Sequence, residues 1–353
     1  MLIQTLYGIT FGEVMLSILN VIIALLVLMI MVVIHELGHY LAAKLLKFQV
    51  NEFAIGFGKP IFQKTLKNGE KFSIRPLPLG GYCAFEGEDE DNDNPRAFNN
   101  QKCWKRIIVL FAGAFFNFLS AILIISVTFM AYGDTLPVVI DQYEKDDGSI
   151  VYFDSGTSGI EVGDIIVSVD GKSLSFIQSA PARDETQTER TFVVKRTATD
   201  GTVETLELKL VVGEATIPMQ YQNIKYGFFE AIGRGFVVNF QLVGKIFEIF
   251  TGLFTGGTSM SDLGGPVTTV STLTQFAGLG LGILMYAVCL ISANLAFFNL
   301  LPFPALDGSR IVFVIIEWIR GKPVKRSVEG MIHFVGIIAI FAFAIFIDVL
   351  KLF

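Results

Sequence analysis

Residues Val14–His39 read VMLSILNVIIALLVLMIMVVIHELGH. The run Val14–Ile34 carries no charge, and about 20 apolar residues are enough for a helix to cross a bilayer. It ends in His35-Glu36-Leu37-Gly38-His39, an HExxH pattern. On a helix, histidines four apart stack on one face and can bind one Zn²⁺, with the intervening glutamate beside them as general base. The chain has only 3 His, so composition alone would produce the pattern in roughly one such chain per thousand. Polar groups of this kind are kept inside a membrane helix mainly where they serve function. The run is too long for the apolar core of a signal peptide, usually about 7–15 residues, and no Lys or Arg precedes it.

The rest of the chain agrees with a membrane setting. Of 353 residues, 52% are hydrophobic and 17% charged, against about 25% charged in soluble proteins. Disorder, collagen-like repeats and a disulfide framework are all excluded by 33 Phe, 34 Gly, 11 Pro and 3 Cys. Further uncharged runs occur at Ile107–Ala131, Gly330–Ile347 and Leu263–Leu306. The last is too long for one span, and Gly264-Gly265-Pro266 interrupts it. Its membrane helix is expected at about 280–300, after a loop and a short helix. Phe228–Phe254 is apolar but carries Glu230, Arg234, Lys245 and Glu248, which predicts an amphipathic helix on the membrane surface and not a span.

Orientation follows from Lys and Arg. No basic residue precedes Val14, whereas 44–106 holds 11 and the segment after Leu306 holds Arg310, Arg320, Lys322, Lys325 and Arg326. Both basic stretches are expected in the cytoplasm, leaving both termini and residues 133–275 outside. His35 and Asp307 then lie toward the same side, which the charge count did not presuppose. Asp307 closes the uncharged run in Asn299-Leu300-Leu301-Pro302-Phe303-Pro304-Ala305-Leu306-Asp307-Gly308. A catalytic zinc usually takes three protein ligands and keeps one position open. Asp307 is the preferred third candidate, ahead of Glu52 and Glu86, which sit in a carboxylate-rich loop.

These features together resemble the site-2 protease family of intramembrane zinc metalloproteases, in particular the bacterial regulator-of-sigma-E protease type. The carriers are HELGH at 35–39, Pro78-Leu79-Gly80-Gly81-Tyr82, the stretch from Phe98 through Trp104 to Asn117, a PDZ-like middle, Gly265-Pro266-Val267 and the NLLPFPALDG stretch at 299–308. The resemblance implies His35, His39 and Asp307 as Zn²⁺ ligands and Glu36 as general base and acid. It also implies substrate contacts at Asn294 and Asn299, whose alternative is interhelical hydrogen bonding. Gly265 and Pro266 would handle substrate, with plain turn chemistry as the alternative. The implied substrates are single-span membrane proteins, such as anti-sigma factors or signal-peptide remnants. Gly113-Ala114-Phe115 stands where the family commonly has Gly-Pro.

Phe53–Cys83 reads as a membrane-associated β-hairpin, with Ile61–Leu66 and Lys71–Arg75 around Asn68-Gly69. Glu86–Asp93 reads as an acidic solvated loop. Residues 133–226 hold 16 Asp/Glu and 8 Lys/Arg. There, Ser158–Gly171 resembles the PDZ pattern, and strands are expected at Thr191–Arg196 and Val203–Val212. Such a domain binds a peptide by strand addition, filters substrates, or serves as a linker. His333 reads as a helix-end residue.

The expected molecule is a polytopic α-helical membrane protein of about four transmembrane helices, with an inserted PDZ-like β-rich domain and a membrane-associated β-hairpin. Its regions are 1–132 with the HExxH helix, hairpin and second span; 133–226, PDZ-like and extracytoplasmic; 227–275, amphipathic helix and GPV loop; and 276–353 with the LDG motif. It is expected in the bacterial inner membrane with the lipid bilayer, transmembrane proteins or peptides as partners, and no nucleic acid. A catalytically inactive PDZ-bearing scaffold and a zinc transporter or sensor are the rival classes. The full set of catalytic groups weighs against the first, and the lack of further His- or Asp-rich spans against the second.

Overall fold

The uninterrupted apolar run and the absence of Pro or mid-helix charge make residues 11–45 one helix, α1 (Phe11–Leu45), long enough to carry the HExxH segment as its last turns. The computed structural model describes residues 11–88, 93–182, 186–212, 216–260 and 263–351. Within them the chain forms two compact units, one from Ser126–Leu242 and one from the segments on either side.

In the flanking unit, α1 is followed by four strands: β1 (Val50–Phe57), β2 (Phe62–Thr65), β3 (Lys71–Ile74) and β4 (Leu77–Phe85). The hairpin expected around Asn68-Gly69 is the β2–β3 pair, with Gly69 at φ 85°. It is half of a larger sheet of order β2-β3-β1-β4, in which β1 runs parallel to β3 and antiparallel to β4. The turn is tied to the end of α1: Lys44 Nζ and Asn68 Nδ2 donate to Glu70 Oε2 at 2.7 and 3.0 Å. Glu52 is held inside the sheet by Ser73, Arg75 and Tyr82. Burial pushes its carboxyl up, but these donors outweigh that and hold it below the usual carboxylate range. Of the acidic run Glu86–Asp93, residues 89–92 lie outside the described residues.

The later helices are α2 (Cys103–Ala131), α3 (Phe228–Thr255), α4 (Pro266–Leu279), α5 (Leu281–Asn299), α6 (Asp307–Arg320) and α7 (Arg326–Leu350). Among the described residues, five helices are long and apolar enough to cross a membrane: α1, α2, α3, α5 and α7. The chain is a multi-pass membrane protein. The expected count is four, and the extra candidate, α3, is the least apolar of the five.

The course of the chain after α3 bears on that count. Near its end, the Phe250 ring lies 6.1 Å from Phe297 and 6.4 Å from both Phe298 and Phe303. By Gly265 the chain has reached Asp348, near the end of α7, which accepts the Val267 and Thr268 amides at 2.8 and 3.0 Å. Gly336 of α7 is packed against Pro304. At 1.5 Å per residue, the stretch of α7 from Gly336 to Asp348 spans about 18 Å. Between Phe250 and Gly265 the chain therefore runs from the Phe297–Pro304 end of the helices back toward the opposite end.

The inner unit is built on a sheet of order β11-β10-β8-β5-β12, made from β5 (Asp134–Val139), β8 (Ile165–Val169), β10 (Glu189–Thr197), β11 (Val203–Val211) and β12 (Met219–Ile224). The short β9 (Lys172–Ser173) pairs with β8, and β6 (Gln142–Glu144) and β7 (Ile150–Tyr152) form a separate hairpin. The two expected strands are β10 and β11, paired from Glu189↔Val211 to Thr197↔Val203. Two of the four charges that marked α3 as a surface helix are used here: Glu230 pairs with Lys195, and Arg234 donates to buried Asp134 at 2.6 and 2.8 Å. Gln241 Nε2 adds a 2.6 Å bond to the Ser173 carbonyl. The first half of α3 is thereby fixed to the β unit.

Asp134 is fully buried, and removing one partner of a buried pair costs about 3–5 kcal/mol. Arg234→Leu should lower the stability of the β unit by about 3 kcal/mol, read as protease cleavage at lower denaturant in the full-length protein. Adding Asp134→Asn should restore part of the loss. An unchanged cleavage midpoint for Arg234→Leu would contradict this role of the pair.

Candidate metal centre

His35 and His39 lie one turn apart near the end of α1, and both are buried, at 7% and 6% exposure. The side chain that meets them from the other end of the sequence is Asp307, the first residue of α6. His35 Nε2 is 2.9 Å and His39 Nε2 3.2 Å from Asp307 Oδ2, and the two Nε2 atoms are 3.1 Å apart. Tetrahedral ligands about 2.0–2.1 Å from a zinc ion stand about 3.3 Å from one another, so the three atoms fit one ion with an adjustment of a few tenths of an ångström. Among the described residues this is the group of His, Cys, Asp or Glu side chains that meets the geometry for a metal ion. The donor set, two imidazoles and one carboxylate, suits a zinc with one position left open.

Packing explains why the histidines sit where they do. The α1–α2 approach is so close that a Cβ on Gly38 would stand 2.4 Å from the Ala112 carbonyl oxygen. A Cβ on Gly113 would stand 2.4 Å from His39 Nε2 and 2.7 Å from His35 Cε1. His39 Nδ1 is 2.8 Å from the Val109 carbonyl oxygen. A carbonyl only accepts, so Nδ1 carries the proton and Nε2 keeps its lone pair for a metal.

Asp307 is aimed by the loop before it. Leu300–Leu306 turns sharply with Ala305 at φ 83°, a backbone conformation costly for a residue with a side chain. His333 of α7 holds it there, since the Ala305 amide donates to His333 Nδ1 at 3.0 Å. His333 is thus a support for the Asp307 loop and not a simple helix-end residue. The glycine after Asp307 is required by space: a Cβ on Gly308 would stand 2.3 Å from the Leu301 carbonyl oxygen.

Glu36 lies between the two histidines in sequence, and its Oε2 accepts the Cys83 amide of β4 at 3.0 Å. That amide therefore points away from β1, toward α1. Asn299 reaches the cluster, with Nδ2 3.4 Å from His35 Nδ1. Asn294 does not: its Nδ2 donates to the Leu290 carbonyl of its own helix at 3.0 Å. Positions five apart on a helix point about 140° from each other, so the two asparagines cannot share a task at one point. Gly265 and Pro266 lie beside Asp348, well removed from the ligand cluster. Glu52 and Glu86, the other candidates for third ligand, are engaged with Ser73, Arg75 and Tyr82 and with Asn94 respectively. Nothing in the sequence places Gly113, Val109 or Cys83 at the site, and His333 reads there only as a helix end. The available signal was Asn117, a polar amide within an uncharged span.

The model described as peptidase family M50 matches residues 23–343. A protein of Fusobacterium nucleatum is 32% identical, over 94% of this chain and 98% of its own length. One of Clostridium perfringens is 30% identical, over 93% and 97%, and one of Brucella suis is 29% identical, over 96% of each. All three are named as zinc metalloproteases.

Gly113→Ala tests the packing argument. The added methyl must displace an imidazole, so bound zinc should fall to well below one per chain by elemental analysis of the purified protein. Gly330→Ala, where nothing lies within 4 Å of the added atom, should keep full metal content. Equal metal in both variants would contradict the close-approach role of Gly113.

Proposed function

Because the chain belongs to peptidase family M50, zinc-dependent metalloendopeptidases of the site-2 protease type, we propose that it cleaves single-span membrane proteins within or beside the bilayer. In this reading His35, His39 and Asp307 hold the zinc, and Glu36 moves the proton. The observation that carries it is the meeting of three ligand atoms within 3.2 Å, drawn from helices 272 residues apart in sequence, with a carboxylate alongside.

Zinc, when bound, supplies the Lewis acidity that activates a water and polarises the scissile carbonyl. Glu36 acts through the oxygen not held by Cys83, taking the proton of the attacking water and passing it to the leaving amine. The Cys83 amide keeps the other oxygen fixed, so the carboxylate does not swing out of reach between the two transfers. Asn299 Nδ2 stands on the ligand side of α5 and serves as donor to the substrate carbonyl or another freed backbone oxygen of the substrate. Asn294, bonded within its own helix, takes no part in this step.

A substrate helix must unwind locally before attack, and its exposed amides need partners where water is scarce. The outer edge of β4 faces Glu36, as the direction of the Cys83 amide requires. An extended substrate segment laid along that edge would gain main-chain hydrogen bonds next to the catalytic carboxylate. Four helices, α1, α2, α5 and α7, cross the membrane, and α3 with its return to Gly265 enters and leaves on one side. This keeps His35 and Asp307 at the same, cytoplasmic, face, with both termini and the PDZ-like region 133–226 outside a bacterial inner membrane. That region acts as a filter on exported substrate domains, and Gly265-Pro266 influence substrate from the far end of α7. Anti-sigma factors and signal-peptide remnants are the substrate types in view.

Glu36→Gln should lower cleavage of tagged single-span proteins about 10²–10⁴-fold while zinc content stays at the wild-type level. Asp307→Ala should lose zinc as well as activity. Undiminished turnover of every membrane substrate by Glu36→Gln would end the protease reading. A substituted cysteine at the exposed Ser149 should react with an impermeant thiol reagent from outside the cell; labelling only from the cytoplasm would invert the topology.

A further inference from the structure

Asn117 sits inside α2, fully buried at 0% exposure. Its Nδ2 lies 3.4 Å from His35 Nδ1, and its Oδ1 has no hydrogen-bond partner. Asn299 Nδ2 lies at the same distance from the same nitrogen. If His35 binds a metal through Nε2, its neutral ring must carry the proton on Nδ1. Two amide NH₂ groups would then face an N–H, with donors on both sides and no acceptor. The two ends of an amide have the same shape, so their assignment must follow the hydrogen-bond chemistry.

We propose that Asn117 is the positioning residue for His35: its side-chain carbonyl, turned toward α1, accepts the Nδ1–H and fixes the ring with Nε2 free for the metal. This inference rests on the reading that His35, His39 and Asp307 bind zinc. Asn117 is the amide to turn because its oxygen gives up no partner by turning, whereas Asn299 is partly exposed on the substrate side. The contact closes from 3.4 Å toward the usual 2.7–3.2 Å. The assignment leaves Asn299 NH₂ without a claim on His35 and available to substrate.

His39 provides the internal parallel. Its Nδ1–H goes to the Val109 carbonyl on the same helix. Val109, Gly113 and Asn117 are spaced by four, so they form one stripe along α2. One end of the stripe orients His39, the other orients His35, and the glycine between them gives both rings room. Ligating histidines commonly give their second N–H to a carbonyl or carboxylate, and losing that partner typically costs about 10–100-fold in metal affinity.

The test uses the full-length protein in detergent and measures zinc affinity by chelator competition for wild type, Asn117→Leu and Asn117→Asp. Leucine keeps the bulk and removes the acceptor, so affinity should fall about 10–100-fold. Aspartate only accepts, so affinity should match or exceed wild type. Wild-type affinity in Asn117→Leu would overturn the proposal, as would Asn117→Asp binding as weakly as Asn117→Leu. Should the aspartate variant not fold, ¹⁵N-histidine spectra of zinc-loaded wild type decide, since only 3 His are present. His35 should show a protonated Nδ1 whose signal moves in Asn117→Leu; an unprotonated Nδ1 would overturn the proposal. A wild-type protein with no zinc affinity would remove the metal-centre reading and this inference with it. Tight wild-type binding with an indifferent Asn117→Leu would remove only the role of Asn117.

Discussion

The constraint on which the membrane unit depends is the convergence of His35, His39 and Asp307, whose candidate ligand atoms stand 2.9–3.2 Å apart. A metal site in an apolar setting tolerates little displacement, because nothing in the surroundings can replace a lost ligand. Each neighbouring element bears on one member of the set. The α1–α2 contact needs glycine at 38 and 113. The Val109 carbonyl orients His39. The loop before Asp307 is held in an unfavourable backbone conformation by His333. The β-sheet, anchored to α1 through Lys44 and Glu70, brings the Cys83 amide to Glu36.

The β-rich unit follows a different rule. Several of its charged groups are paired within it, Arg196 with Asp164 and Glu161, and Arg234 with Asp134. Arg234 belongs to α3, so a helix apolar enough to be counted with the membrane spans is fixed at its start to a β-rich fold. Two of its charges are satisfied before the helix reaches its most apolar part. This distribution sets α3 apart from α1 and α5 among the helices that satisfy a length and hydropathy test.

Local patterns were readable and long-range pairings were not. HELGH is legible because both candidate ligands and the proposed base lie within five residues of one helix. Asp307 is legible because it ends a long uncharged run at a double-proline turn. The β2–β3 hairpin is announced by Asn68-Gly69, but β1 and β4 join it through a parallel and an antiparallel pairing that no local turn signals. Glu230 and Arg234 look like charges at a membrane surface until Lys195 and Asp134, distant in sequence, are seen beside them. His333 reads as a helix end because its partner, the Ala305 amide, belongs to another helix's approach loop. Asn294 and Asn299 are both amides near a helix terminus, and only helical rotation separates them.

The most direct measurement on the central claim is zinc X-ray absorption of the purified, zinc-loaded protein. Four-coordinate zinc is expected, with nitrogen and oxygen neighbours at about 2.0–2.2 Å and the multiple-scattering signature of two imidazoles. A sulfur neighbour near about 2.3 Å, which would bring a cysteine into the site, or a single imidazole in the first coordination sphere, would contradict it.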